Sequence, residues 1–154
     1  MKIVAAAAIL KKDKILILKR GKYETVLPSY WELPSGKKHL SESVEGCLIR
    51  EVQEETGLIV QPISPIFVFE YQVSNNKKVI DYIQINYYCV VKGKHNVVIS
   101  NEHEDYAWIN ENELNRYKIS KETKSVIMKV FEIKEQLKTP RIVPIQSRYL
   151  NPKV

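Results

Sequence analysis

Residues 36–58 read GKKHLSESVEGCLIREVQEETGL. The spacing predicts a helix over 43–56. Ser41 or Ser43 can accept from the free backbone N–H groups at its start, and Gly57 followed by Leu58 fits a glycine stop with an apolar contact. Val44, Leu48 and Val52 recur every four residues and form its buried stripe. On that helix Glu51, Glu54 and Glu55 stand at i, i+3 and i+4, so they share one face within about one turn. Carboxylates that close repel by a few tenths of a kcal/mol per pair. Their oxygens are hard donors of the kind that Mg²⁺ or Mn²⁺ takes, and such an ion can bridge phosphate oxygens and activate a water. Arg50, four residues before Glu54, can pair with a neighbouring carboxylate and orient it. Just before the segment, Pro34-Ser35-Gly36 is a turn signal, whose carbonyls could supply a further oxygen ligand. Read alone, REVQEE is a solvated, salt-bridged helix face; the spacing of the whole segment argues for more.

That spacing is Gly36, five residues, Glu42, seven residues, Arg50-Glu51, the aliphatic Val52, one residue, Glu54-Glu55, one residue, Gly57 and the aliphatic Leu58. It resembles the Nudix box at every fixed position. The resemblance implies an α+β fold, an α/β/α sandwich with a mixed sheet between helices. It implies hydrolysis of a nucleoside diphosphate linked to another group, with Mg²⁺ or Mn²⁺ as cofactor. Carried over residue by residue, the metal ligands are Glu51, Glu54 and Glu55, assisted by a carbonyl of Ser35 or Gly36. Glu51 or a glutamate outside the box acts as general base, and Arg50 and Glu42 hold the ligands in place. The chain has Ser35-Gly36 where many members have two glycines. The stretch Asn101–Trp108 looks like the family's later loop, from which a glutamate can reach the metals or the attacking water. Glu102 is the first candidate there and Glu104 the second, with an acidic surface loop as the alternative. His103 reads as structural.

Working outward, the apolar runs Ile3–Leu10 and Lys14–Lys19 flank Lys11-Lys12-Asp13 and predict a β-hairpin. Residues 21–30 read as a polar and aromatic loop, and 31–33 as a short strand. After the helix, 63–73 and 78–91 read as two strands joined by a turn at Asn75-Asn76-Lys77. Residues 97–99 and 106–109 read as two further short strands around a charged loop, 100–105. A long amphipathic helix is predicted over Ser120–Lys138, with Val126, Ile127, Val130, Phe131, Ile133 and Leu137 as its apolar set. One domain over 1–138 is expected, followed by a tail, 139–154, that carries three prolines and could pack on the surface, mediate a dimer or be mobile.

Composition narrows the partners. With 44% apolar and 27% charged residues the chain reads as globular, not disordered or fibrous. No apolar run is long enough to span a bilayer, and MKIVAAAAILKKDK reads as a first strand, not a signal peptide. Cys47 and Cys89 lack metal-ligand spacing and read as buried, reduced thiols of a cytoplasmic protein. The net charge of +6 suits nucleic acid, an anionic surface or a polyphosphate, without choosing among them. Lys19, Arg20, Lys37 and Lys38 are candidates to meet phosphates. Tyr23, Tyr30, Phe69, Tyr71 and Tyr82 are candidates to stack on a base. Position 73 is Val and 74–76 are Ser-Asn-Asn, so the marks of the ADP-ribose and dinucleoside-polyphosphate types are absent. A MutT-like (d)NTP pyrophosphohydrolase, acting on a nucleotide such as oxidised dGTP, is left by elimination. An RNA 5′-end pyrophosphohydrolase and a non-catalytic nucleotide-sensing module are the other readings. No DNA-binding domain fits in the remaining length. A monomer and a homodimer are both open.

Overall fold

The computed structural model describes residues 1–138; the expected proline-bearing tail lies outside the described residues. In chain order the elements are β1 (Lys2–Lys11), β2 (Lys14–Arg20), β3 (Trp31–Glu32), β4 (Ser35–Lys37), α1 (Val44–Thr56), β5 (Ile59–Asn75), β6 (Lys78–Lys92), β7 (His103–Ile109), a 3₁₀ turn (Glu111–Arg116) and α2 (Lys121–Lys138). The seven strands make one mixed sheet, with β3-β2-β1-β6-β5 in order, β4 beside β1 and β7 beside β2.

The sheet is covered on both faces, as expected of a mixed sheet between helices. Ala5–Ala8 and Ile15–Leu18 have no exposed surface, which is why they read as continuous apolar runs with no alternation. Ala5, Ala7, Ile9, Leu16 and Leu18 pack with Cys47, Leu48 and Val52 of α1. Ala8, Ile15 and Ile17 pack with Val126, Ile127, Val130 and Phe131 of α2. Leu137, assigned to the apolar face of the second helix, is instead 74% exposed, because α2 runs past the edge of its core there.

β1 and β2 pair as a hairpin only at Leu10–Ile15 and Lys11–Lys14, then part. β1 continues beside β4, with Ala5 opposite Gly36, and runs parallel to β6 on its other side. β2 turns to β3 and β7. The expected turn at Pro34-Ser35-Gly36 is therefore a strand start: Ala7 N–H donates to Pro34 O at 2.8 Å, and Ser35–Lys37 extends along β1. Neither Ser35 nor Gly36 has a positive φ, so a serine costs nothing at the first position.

Two other expectations are corrected. β5 begins at Ile59, not at 63. Its prolines, Pro62 and Pro65, sit at two register shifts against β6 on the outermost strand of the sheet, where a missing N–H does little harm. Residues 97–99 form no strand. Val98 N–H donates to Thr56 O at 2.9 Å and Ser100 N–H to Glu55 O at 3.1 Å. The segment thus satisfies carbonyls that the end of α1 leaves free, while Val97 and Ile99 pack on the core beneath. β7 starts earlier than expected, at His103. The β5–β6 turn at Asn76-Lys77 has both residues at positive φ, 45° and 69°, the twist that a two-residue hairpin needs.

Candidate active site

The site lies where β1 and β2 separate and the N-terminal half of β4 runs beneath α1. Ser43 caps α1, its Oγ accepting from Gly46 N–H at 2.9 Å, and Gly57 ends it at φ 70°. Those two stops and the buried Leu48 and Val52 fix the rotation of α1, which turns Arg50, Glu51, Glu54 and Glu55 toward β4 and its flanks.

Arg50 is the hub. Its Nη2 and Nε donate to the two oxygens of Glu42 at 2.7 and 3.0 Å, a forked pairing. Nη1 donates to Glu51 at 2.7 Å and to Glu54 at 3.3 Å, and Nη2 also reaches Lys37 O at 3.3 Å. Glu42 further accepts from His39 N–H at 2.8 Å. Held by Arg50 and that N–H, its carboxyl lies well below the usual range, at about 2. Glu51 rests directly on Gly36: a Cβ added there would overlap its carboxylate.

Glu55 is the buried member, 6% exposed. Its Oε2 accepts from Ser35 N–H at 3.0 Å. Burial, and then the nearby charges of Glu32, Glu51 and Glu102, push its carboxyl up to about 9. As the side chains stand, no three Asp, Glu, His or Cys among the described residues converge to chelating distance; Glu51 and Glu54 turn to Arg50 while Glu55 turns to Ser35. The donor set still fits a hard divalent cation, because the carboxylates massed around Glu55 destabilise one another and a cation would relieve all of them.

Glu102 enters through the segment after β6: Ser100 N–H on Glu55 O and His103 N–H on Ser100 O bring it beside Glu55. Glu104 points elsewhere, accepting from Lys22 N–H at 2.8 Å and lying 3.7 Å from Lys19. Glu32 escaped the sequence reading. It faces Arg20, which donates to both its oxygens at 2.9 and 3.0 Å, and the buried His103, whose Nε2 lies 3.1 Å away. The one signal for it was a carboxylate inside a short apolar strand, and only the register of β2, β3 and β7 reveals what it meets.

A cleft of about 450 Å³ adjoins this cluster. It is lined by Arg20, Tyr30, Glu32, Ser35, Gly36, Lys37, Phe69, Tyr71 and Tyr82, among others, together with Ser120, just before α2, and Thr123 in its first turn. Tyr71 and Tyr82 stack at 5.1 Å with planes 9° apart, and Lys37 Nζ sits 5.6 Å above the Tyr82 ring. Burial first, then Tyr82 and Glu32, push the Tyr71 phenol up to about 12, so it remains a hydrogen-bond donor. Of the sequence candidates, Tyr23 does not join: it is 88% exposed and outside the cleft. Lys38 donates to His39 O. Cys47 and Cys89 are buried, and burial pushes their thiols up to about 11 and 12, which leaves them unreactive.

A family model described as the NUDIX domain matches residues 1–130. The nucleoside triphosphatase NudI of Salmonella schwarzengrund is 31% identical over 120 residues, covering 73% of this chain and 84% of that protein. The NudI of Escherichia fergusonii is 29% identical over the same shares. Among solved structures, the MutT protein of Methanosarcina mazei superposes with a TM-score of 0.69 at 25% identity, over 90% of this chain and 96% of that one. A NUDIX hydrolase of Nitrosomonas europaea superposes at 0.71 with 20% identity, over 86% and 90%. No helix among the described residues is long and apolar enough to cross a membrane.

Proposed function

Because the chain belongs to the Nudix family and is a pyrophosphohydrolase of that family, we propose that its substrate is a (d)NTP, oxidised dGTP among the candidates, cleaved to the nucleoside monophosphate and pyrophosphate. The observation that carries this is the adjacency of two features: Glu55 and Glu51 set against the backbone of β4 with Glu32 and Glu102 near Glu55, and an aromatic cleft lined by Ser35, Gly36 and Lys37 of the same strand. Similarity to nucleoside triphosphatases over 73% of the chain supports the choice among nucleotides.

In this reading Glu51, Glu54 and Glu55, with a carbonyl of Ser35 or Gly36, hold Mg²⁺ or Mn²⁺. Helical spacing keeps the three side chains within one turn, so changes of rotamer suffice to gather them. The cation, when bound, neutralises charge on the diphosphate and lowers the pKa of water. Arg50 and Glu42 hold Glu51 and Glu54 in orientation. Glu102 takes a proton from the attacking water while the water oxygen bonds to phosphorus and the anhydride P–O bond breaks toward pyrophosphate. Lys37 meets the phosphates. Tyr71 and Tyr30 grip the base, Tyr71 already stacked on Tyr82. The reaction is expected in the cytoplasm.

The test is product analysis on a panel: (d)NTPs including oxidised dGTP, ADP-ribose, a dinucleoside polyphosphate and 5′-triphosphate RNA, each with Mg²⁺ or Mn²⁺, for wild type and Glu51→Gln. Monophosphate and pyrophosphate from a (d)NTP, abolished by the substitution, is the expected result. Preference for RNA overturns the substrate, and a wild type inert on every member while still binding nucleotides overturns catalysis.

A further inference from the structure

We propose that Arg20 is a positioning residue that holds loop 21–30 in place as a wall of the cleft, rather than a residue that meets substrate phosphate. The proposal rests on the reading above in one respect, that the cleft holds the nucleotide.

Every nitrogen of its guanidinium is already engaged. Nε donates to Val26 O at 2.9 Å, Nη1 to both oxygens of Glu32 at 2.9 and 3.0 Å, and Nη2 to Glu24 at 3.3 Å. A phosphate at Arg20 would have to displace the Glu32 carboxylate, both of whose oxygens accept from Nη1, with a second carboxylate, Glu24, beside it. Lys37, by contrast, has no ion pair among the described residues and lies over the Tyr82 ring in the cleft.

The contacts of Arg20 are spread along the loop it precedes. Its backbone N–H donates to Tyr30 O at 2.9 Å, which closes the loop at its base, and its side chain holds the middle at Val26 and Glu24. That loop needs holding. Leu27 and Ser29, on either side of Pro28, have φ of 47° and 62°, a left-handed conformation that non-glycine residues keep only where surrounding contacts impose it. Val26, Leu27 and Tyr30 line the cleft, and Val26 and Leu27 stay 39% and 43% exposed. An unanchored loop would fold such side chains inward. Glu32 carries the anchor onward, from Arg20 on one side to His103 and the field around Glu55 on the other. One arginine therefore ties the wall of the cleft to the acidic cluster.

The roles separate with Arg20→Lys, which keeps the charge but cannot serve Val26, Glu24 and Glu32 together. A phosphate-binding residue would be largely replaced by lysine. A positioning residue would not: Arg20→Lys should match Arg20→Ala, each raising KM about tenfold or more with kcat little changed. A wild-type KM in Arg20→Lys, or a loss confined to kcat, overturns the proposal. The second measurement needs no substrate. Chymotrypsin cleavage after the exposed Tyr23, identified by mass, should accelerate in Arg20→Lys and Glu32→Gln at unchanged Tm; unchanged cleavage overturns the anchoring. If the Arg20 variants do not fold, Glu32→Gln carries the measurement alone, and unchanged cleavage in it overturns the anchoring. Accelerated cleavage in a protein whose wild type turns over no nucleotide would refute the reading of the cleft while leaving the anchoring demonstrated.

Discussion

Gly36 lies so close beneath Glu51 that a Cβ at position 36 would occupy the space of the Glu51 carboxylate. The residue is extended, not left-handed, so the need for glycine comes from this approach and not from φ. Gly36→Ala should leave folding nearly intact, because the far end of Glu51 can swing away. On the proposed role of Glu51 as a metal ligand, it should lower turnover by about a hundredfold, the cost of misplacing a group at the reacting centre. Parallel thermal melts and steady-state kinetics check it; wild-type turnover would show that Glu51 works from another position.

Arg50 joins Glu42, Glu51 and Glu54 through contacts of 2.7–3.3 Å. Arg50→Lys keeps one charge and loses the fork, so the two catalytic-face glutamates lose their common orientation. Activity should fall by about 10- to 100-fold, as for other partners that orient ligands. Mn²⁺ titration by calorimetry should show weaker binding. Full activity in the lysine variant would reduce Arg50 to a surface ion pair.

The acid side of the stability profile should report Glu42. Its carboxyl sits at about 2 against an ordinary 4.5. A depressed carboxylate contributes its full stabilisation above the ordinary value, and the contribution is lost as pH falls from about 4.5 through about 2. Melting temperatures of the wild type should therefore drop across that window more steeply than those of Glu42→Gln. Parallel profiles would mean that the Arg50–Glu42 fork adds nothing to the fold.

Glu55 predicts the opposite slope. With its carboxyl raised to about 9 from 4.5, the folded chain retains a proton that the unfolded chain releases, so stability declines as pH rises between those values. In metal-free buffer at pH 8, Glu55→Gln should melt a few degrees above wild type, about 1 kcal/mol for a domain of this size. Added Mn²⁺ should raise the wild-type Tm and not that of the variant. A metal-free variant that melts well below wild type would show that Glu55 is held by more than Ser35 N–H.

The helix and its acidic face were legible because every relation in them is local. Caps at Ser43 and Gly57, a stripe at Leu48 and Val52, and carboxylates at i, i+3 and i+4 all follow from 3.6 residues per turn. Glu102 was legible as a candidate from its neighbours in the chain, and the structure separates it from Glu104, which is tied to Lys22 and Lys19. Less visible was the segment 97–99. Its alternation reads as a strand, but the free carbonyl of Thr56 takes the N–H of Val98, and that of Glu55 the N–H of the following Ser100. Nor could composition reveal that Arg20, a basic residue near the box, is fully engaged by its own loop and by Glu32 of β3.

The sequence by itself determined the family, the acidic face of its helix and the two hairpins, since short-range spacing and turn residues encode them. Only the tertiary structure decided that β1 and β2 part to admit β4, that Glu32 meets Arg20 and His103, and that the aromatic cleft opens beside the carboxylates. Those arrangements depend on which strands pair and in what register, and that is set by burial of both faces of the sheet at once rather than by any one stretch of chain.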